Sequence, residues 1–242
     1  MTKILVTGVT GNVGREVVPA LLQKGLTVKA AARDVNRVNE VAENDNWSGD
    51  FEAVSFDYGD DESMSNALNG VDRVFLVTPT IGAVVQMVEA FLEVAKACDV
   101  KHIVRLSGMR NIKEASATHA DCEQRIAASG IAFTHLRPNF FMQNFNTFYA
   151  DGIKNRDSIA LPAGEEPVSF IDVRDIADVA VVAFTQAAHI GKTYVLTGGQ
   201  AITHDVVASA LSDALGRKIA YINMPDEQFR QVSNPYDGTR YQ

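Results

Sequence analysis

Three glycines spaced three apart follow the first apolar run of the chain, where Ile4-Leu5-Val6 leads into Thr7-Gly8-Val9-Thr10-Gly11-Asn12-Val13-Gly14 and then into a segment of helical periodicity. A strand that turns sharply into a helix leaves the first backbone N–H groups of that helix without partners, aimed where a diphosphate can sit. Each glycine has its own reason to be there. Gly8 permits the turn, Gly11 removes the side chain that would block the phosphates, and Gly14 lets the helix pack close to the strand. Thr10, Asn12 and Val13 complete the loop. The competing reading is a plain glycine-rich turn, and the strand before and helix after it argue for the anion site.

The second apolar run ends Lys29-Ala30-Ala31-Ala32-Arg33-Asp34, about twenty residues past the glycine turn, where a dinucleotide fold chooses between NAD and NADP. A guanidinium at Arg33 offers a forked donor array to a ribose 2'-phosphate, which a carboxylate would repel. Arg37, four residues on, shares a helical face with Arg33 and can add a second positive contact. Asp34 competes with this reading, because turned inward it could bind the ribose hydroxyls of NAD. The expected cofactor is NADP, with NADPH preferred over NADH. The third run ends Ser55-Phe56-Asp57-Tyr58, placing a carboxylate and a ring near the expected adenine. Asp57 can accept from the adenine amino group, or Asp57, Asp60 or Asp61 can cap the helix that follows. Val77-Thr78-Pro79-Thr80 closes the fourth run with a turn the cofactor would pass, at which Pro79 fixes the chain and removes a donor.

These residues need a scaffold, and the pattern supplies one. Short β-branched runs at 2–7, 26–32, 51–56, 71–77, 101–107 and 131–136 alternate with helical segments at 12–24, 35–44, 61–69, 82–98 and 115–129, the signature of a parallel sheet covered on both faces. A further helix is expected at 173–187, a strand at 193–197, a helix from about 204 to 215 and a strand near 218–222. The expected fold class is α/β, a Rossmann-type doubly wound parallel sheet with a small C-terminal α/β substrate lobe. Residues 1–150 form the NADP-binding domain, completed by about 168–198, and 151–242 the discontinuous lobe.

With 242 residues and 46% apolar content, the chain can bury one large core, or one plus a small lobe. A formal charge of -8 without a basic run argues against nucleic acid or an anionic membrane surface as a partner. No stretch of about 18 uncharged apolar residues is present, and the N-terminus enters a strand rather than a signal peptide, so the cytoplasm is the expected location. Cys98 and Cys122 lack Cys-x-x-Cys spacing and read as buried thiols rather than a metal site, a disulfide or a redox pair. No metal is expected.

Thr7-Gly8-x-x-Gly11-x-x-Gly14, Arg33, Asp57-Tyr58 and Leu136-Arg137-Pro138-Asn139-Phe140-Phe141 together resemble the NmrA-like atypical short-chain dehydrogenase/reductases across most of the chain. Within them, His119-Ala120-Asp121-Cys122-Glu123 and Ala128-Ser129-Gly130-Ile131 are similar to the branch of NADPH-dependent quinone oxidoreductases and triphenylmethane or azo dye reductases. The resemblance implies NADP, a lobe closing over the nicotinamide, and either of two functions. One is hydride transfer to a small quinone-like or aromatic substrate. The other is an NADP(H)-binding sensor that acts on a protein partner without turnover. A homodimer is compatible with both. Family members usually run on through further helices, so the lobe, ending in Ser233 to Gln242, is expected to be minimal or incomplete.

The chain departs from ordinary short-chain dehydrogenases in having no tyrosine followed four residues later by lysine. Registering related extended enzymes on this chain puts Ala115 on the tyrosine position, His119 on the lysine and Glu123 on a following glutamate. Sugar epimerisation and carbinol oxidation need a positioned acid or base and are disfavoured. An acceptor that takes hydride by itself tolerates the loss, because alignment matters most. Ser107 falls where related enzymes place a hydroxyl beside the nicotinamide, to orient substrate or cofactor, or else to satisfy a strand-end backbone group. His119 is the histidine expected to face the cleft, as a proton donor titrating near neutrality, as a nicotinamide-ribose partner, or as a structural residue. His102, His135, His189 and His204 read as strand or surface residues. Asn139, after a turn fixed by Pro138, could bond the carboxamide. Phe140, Phe141, Phe145, Phe148 and Tyr149 recur at helical spacing, more often core than ligand wall. Val173 to Asp178 resembles an element that joins lobe to cofactor domain.

Overall fold

The computed structural model describes residues 2–79, 82–109 and 113–232, of which 113–116 and 230–232 by backbone alone. Thr80 and the terminal Ser233 to Gln242 therefore lie outside the described residues, as does the side chain of Ala115.

Seven parallel strands form the main sheet: β1 (Lys3–Thr7), β2 (Thr27–Ala32), β3 (Phe51–Ser55), β4 (Arg73–Leu76), β5 (His102–Leu106), β6 (Ala132–Pro138) and β8 (Lys192–Leu196). Their order is β3-β2-β1-β4-β5-β6-β8. The chain direction across the sheet reverses between β1 and β4, so the crevice of a doubly wound fold opens at the carboxyl ends of those two strands. The central strands read as continuous apolar runs because helices cover both faces; Ile4, Leu5 and Val6 have no exposed surface.

On one face, α1 (Gly14–Leu22) packs beside α7 (Val173–Thr185), whose Ala177 and Ala180 permit close approach. On the other, α3 (Asp61–Leu68), α4 (Val84–Ala97) and α5 (Lys113–Ala128) pack in sequence. Met64, Leu68, Val88, Phe91 and Leu92 are buried there in one cluster, each contributing about 2 kcal/mol by leaving water. The helix α2 (Val35–Asn44) packs on β2 and β3. Asp34 caps α2 by accepting from the Asn36 N–H, and Asp60 caps α3 by accepting from Glu62 and Ser63. The far end of α3 has an unusual partner. Lys29, inside β2 and buried, donates from Nζ to the carbonyls of Asn66, Ala67 and Asn69 at 3.3, 3.2 and 2.9 Å.

The first compact unit comprises residues 1–138 and 173–196, and the second 139–172 and 197–242. The second begins earlier than the expected 151, because Phe145 and Tyr149 pack with Ile153, Ile159, Phe170, Val207 and Ile219. It contains α6 (Ala150–Arg156), β7 (Ser158–Leu161), α8 (His204–Leu215), β9 (Ala220–Asn223) and α9 (Asp226–Val232). The sequence pattern missed α6, β7 and α9, at seven, four and seven residues. β7 pairs in parallel with β9, about sixty residues away, so no local alternation marks it. His204 also departs from the surface or strand placement expected. It is buried at the start of α8, stacked on Tyr221 at 5.4 Å with Phe170 edge-on at 5.3 Å.

Candidate functional site

The glycine turn is held from both ends. Gly8 has φ +66° and the Gly11 N–H donates to its carbonyl at 3.0 Å. A Cβ on Gly14 would stand 2.3 Å from the Gly8 oxygen and 2.8 Å from the Val9 Cα, so only glycine lets α1 start this close to β1. The helix begins at Gly14 rather than at 12, with Val13 buried as its first flanking residue and no side chain capping it. Thr10 and Gly11 are exposed and Asn12 is half-buried. An uncapped N-terminus behind an exposed glycine loop has the donors and the dipole to hold an anion. Thr7 locks the neighbouring strand end: its one hydroxyl proton is shared between the carbonyls of Val77 at 3.1 Å and Phe75 at 3.3 Å, and its oxygen accepts from the Val77 N–H. Thr78 and Pro79 follow directly, half-buried and exposed.

At the end of β2, Arg33 is exposed and has no ion-pair partner among the described residues. Arg37 is exposed and pairs with Glu40 at 2.7 Å. Asp34 Oδ1 accepts from the Asn36 N–H at 2.9 Å, so one oxygen of the carboxylate that could bind NAD hydroxyls serves as a helix cap. After β3, Asp57 does not cap α3. Its Oδ1 accepts from the Gly59 N–H at 2.9 Å, closing a local turn with its other oxygen unbonded among the described residues. Tyr58 departs from the adenine reading. Its hydroxyl donates to the Val77 carbonyl at 2.7 Å, and its ring packs on Phe56 and Phe91, so it braces the β3 loop against β4.

At the end of β5 the structure brings together residues that the sequence placed apart. Ser107 is buried and its hydroxyl donates to Glu123 Oε1 on α5 at 2.6 Å. Arg137, from β6, grips the same carboxylate through Nε at 2.9 Å and through Nη2. Burial pushes the Glu123 carboxyl up, and the hydrogen bonds from Arg137 and Ser107 with the nearby His135 and Arg137 more than offset it, holding the carboxyl at about 2. The Ser107 hydroxyl proton is thus committed to this network, and among the described residues it is not given to a backbone group.

His119 lies over the strand end, where a Cβ added to Gly108 would be 2.7 Å from its Nε2. Its Nδ1 is buried without a partner among the described residues. Burial first, and then the positive charge of Arg105, lower its pKa against the opposing pull of Glu123. Both effects favour the uncharged imidazole over the protonated ring. Pro138 is also not a turn: it is the buried last residue of β6, and its carbonyl accepts from Met109 N–H at 3.2 Å. Asn139 opens the second unit, half-buried.

Two residues were passed over. Arg105 and His135 are buried beside this network, and Arg105 is within side-chain hydrogen-bond reach of Cys122. A lone arginine inside Ile103-Val104-Arg105-Leu106 was the available signal. In the second unit by itself, Met142, Phe170, Gly199, Gln200 and Ile202 line an open, largely apolar cavity of about 300 Å³. Phe145 enters the core while Phe140 stays 41% exposed. Among the described residues no helix is long and apolar enough to cross a membrane, and no group of three His, Cys, Asp or Glu could hold a metal.

Residues 1–239 match the model of the NmrA-like family. The chain belongs to the NmrA-like family. Among its relatives, the NAD(P)H azoreductase of Xenophilus azovorans is 38% identical over 233 residues, spanning 95% of this chain and 79% of the relative. The (4-alkanoyl-5-oxo-2,5-dihydrofuran-3-yl)methyl phosphate reductase of Streptomyces griseus is 37% identical over 226 residues, 90% of this chain and 76% of the relative. The solved NADPH complex of an NADPH-dependent quinone oxidoreductase from Escherichia coli superimposes with a TM-score of 0.79 at 25% identity, covering 95% of this chain and 81% of that one. This NmrA-like chain thus has the sheet order, glycine turn and second-strand arginine on one scaffold.

Proposed function

We propose that this protein is an NADPH-dependent reductase that passes a hydride to a quinone or a comparable conjugated aromatic acceptor. It is an NAD(P)H-dependent oxidoreductase acting on a small molecule, and its cofactor is NADP(H). The acceptor class is the inferred part. The observation that carries it is the group α5 lays over the strand end at Gly108: an imidazole held toward its uncharged form, in a chain with no Tyr-x-x-x-Lys pair. Such a site can shield and orient but has no strong acid at hand, which suits an acceptor that takes a hydride unaided.

The residues fit the cofactor. The turn from Gly8 to Gly14, including Thr10, Gly11, Asn12 and Val13, would hold the pyrophosphate against the uncapped α1. Arg33 would take the 2'-phosphate, with Arg37 second because Glu40 competes for it. Asp57 would accept from the adenine, and Thr78, Pro79, Pro138 and Asn139 would border the path to the nicotinamide. When bound, NADPH supplies the hydride. His119 and the rigid Ser107 network would form one wall of that region and keep bulk water from it. The apolar lobe cavity, with one amide at Gln200, has the character expected of a surface for a flat aromatic molecule.

The test is NADPH oxidation by the purified protein with a panel of quinones, azo dyes and triphenylmethane dyes, with NADH in parallel. Saturable, NADPH-selective turnover of one class is the expected result. Tight NADPH binding with no turnover across the panel would refute the reductase reading and favour a sensor.

A further inference from the structure

Asn69 and Gly70 form the single Asn-Gly dipeptide of the chain, in the turn between α3 and β4. Both residues are exposed. An asparagine followed by glycine is open to an intramolecular reaction, because no side chain shields the backbone nitrogen that follows it. The Gly70 nitrogen attacks the Asn69 Cγ, the bond from Cγ to the side-chain nitrogen breaks, and ammonia leaves with the proton that Gly70 gives up. Water then opens the five-membered imide at either carbonyl, which leaves aspartate or isoaspartate. No oxidant or reductant takes part.

The folded turn opposes this reaction. Asn69 has φ -59° and ψ 121° and Gly70 has φ +70°, as in a type II turn, and the Val71 N–H closes it by donating to the Leu68 carbonyl at 3.0 Å. Cβ and N stand about 120° apart around the Cα–C bond, so the ring closes with ψ at about -120°, outside the regions allowed to a residue with a Cβ. The peptide plane between Asn69 and Gly70 must therefore rotate. In a type II turn that rotation is a low-cost motion, since glycine accepts either sign of φ and the closing hydrogen bond can survive it. A Cβ added to Gly70 would meet nothing within 4 Å among the described residues, so packing at Gly70 does not restrain the plane. Lys29 does. From its buried place in β2 it donates through Nζ to the Asn69 carbonyl at 2.9 Å, the shortest of its three bonds, while Asn66 and Ala67 accept at 3.3 and 3.2 Å.

We propose that Asn69 is a deamidation site of this protein and that Lys29 is the lock that keeps it closed in the folded chain. Either product places a new negative charge at the last turn of α3, where the helix dipole disfavours it, and isoaspartate adds a carbon to the main chain of the turn. The turn lies at the amino end of β4, whereas the glycine turn follows the carboxyl end of the parallel β1. Conversion thus ages one end of the sheet and leaves the candidate cofactor loops untouched.

The experiment follows residue 69 by peptide mass mapping while the full chain is incubated in mildly alkaline buffer. Folded wild type, wild type in guanidinium chloride, folded Lys29→Met and folded Val17→Ala are compared, and Asn69→Gln identifies the signal by losing it. Val17 is buried on α1, on the opposite face of the sheet from α3, so its truncation lowers stability without touching the turn. Residue 69 is expected to convert in denaturant, more than about tenfold more slowly in the folded wild type, and about tenfold to a hundredfold faster in Lys29→Met than in folded wild type, the range set by one lost charged hydrogen bond. The unfolded fraction of each protein, multiplied by the rate in denaturant, is the conversion that global unfolding supplies by itself. Lys29→Met should exceed that product and Val17→Ala should not. The proposal is overturned by no conversion in denaturant, by a folded wild type as fast as the unfolded chain, or by a Lys29→Met rate that global unfolding accounts for. Lys29→Leu replaces the methionine variant if that one does not fold.

Discussion

Glu123→Gln removes one charge from the Ser107–Glu123–Arg137 network at nearly constant volume. The Glu123 side chain is 6% exposed, so solvent screens its bonds little. In the folded chain its carboxyl moves from 4.5 to about 2 despite the opposing effect of burial. At about 1.4 kcal/mol per unit, that displacement corresponds to about 3 kcal/mol of stability at neutral pH. The folded value is the depressed one, so the contribution is complete above 4.5, where the unfolded glutamate is also ionised, and is lost as pH falls toward about 2. Urea unfolding of the wild type and Glu123→Gln should then differ by about 3 kcal/mol near pH 7 and by about 1.5 kcal/mol near pH 3, with the same dependence on urea. The variant leaves Arg137 half-buried without its counter-charge, which is why replacing one partner costs more than the pair contributes over an apolar filling. Equal stabilities near pH 7, or a gap that stays constant on acidification, would refute the assignment of the network's energy to the Glu123 charge.

Arg33→Ala should weaken NADPH binding by about tenfold to a hundredfold while barely changing NADH, measured by fluorescence titration; equal losses would remove Arg33 from the 2'-phosphate. Lys29→Met strips the carbonyls of Asn66, Ala67 and Asn69 of their donor and should cost about 1–3 kcal/mol in urea unfolding, with NADPH affinity of the remaining folded protein unchanged. Gly14→Ala forces the α1 start away from the Gly8 carbonyl and should lower both the melting temperature and NADPH affinity, whereas Gly25→Ala, at a glycine with open space around it and φ +71°, should cost stability alone.

The sequence was most legible where a local rule acts on neighbouring residues. The glycine turn, the six alternating strands and the arginine after β2 follow from spacing, because each depends on backbone geometry or burial within a few residues. The helix cap at Asp60 belongs to the same class, although which of Asp57, Asp60 and Asp61 would cap was decided by the fold, and the cap at Asp34 was not read. Tertiary structure decided the rest. Whether Ser107 addresses a ligand or a carboxylate depends on α5 and β6 meeting at one strand end, and no spacing in the chain records that Glu123 and Arg137 converge there. The pKa of His119 was equally hidden, since it depends on how far burial and Arg105 outweigh Glu123, a balance of distances across the sheet. β7 was invisible because a four-residue strand paired with β9 takes its support from residues about sixty positions away. Composition and spacing determined that this chain builds a dinucleotide fold with a basic second-strand end; only packing determined which of its polar groups are occupied by one another.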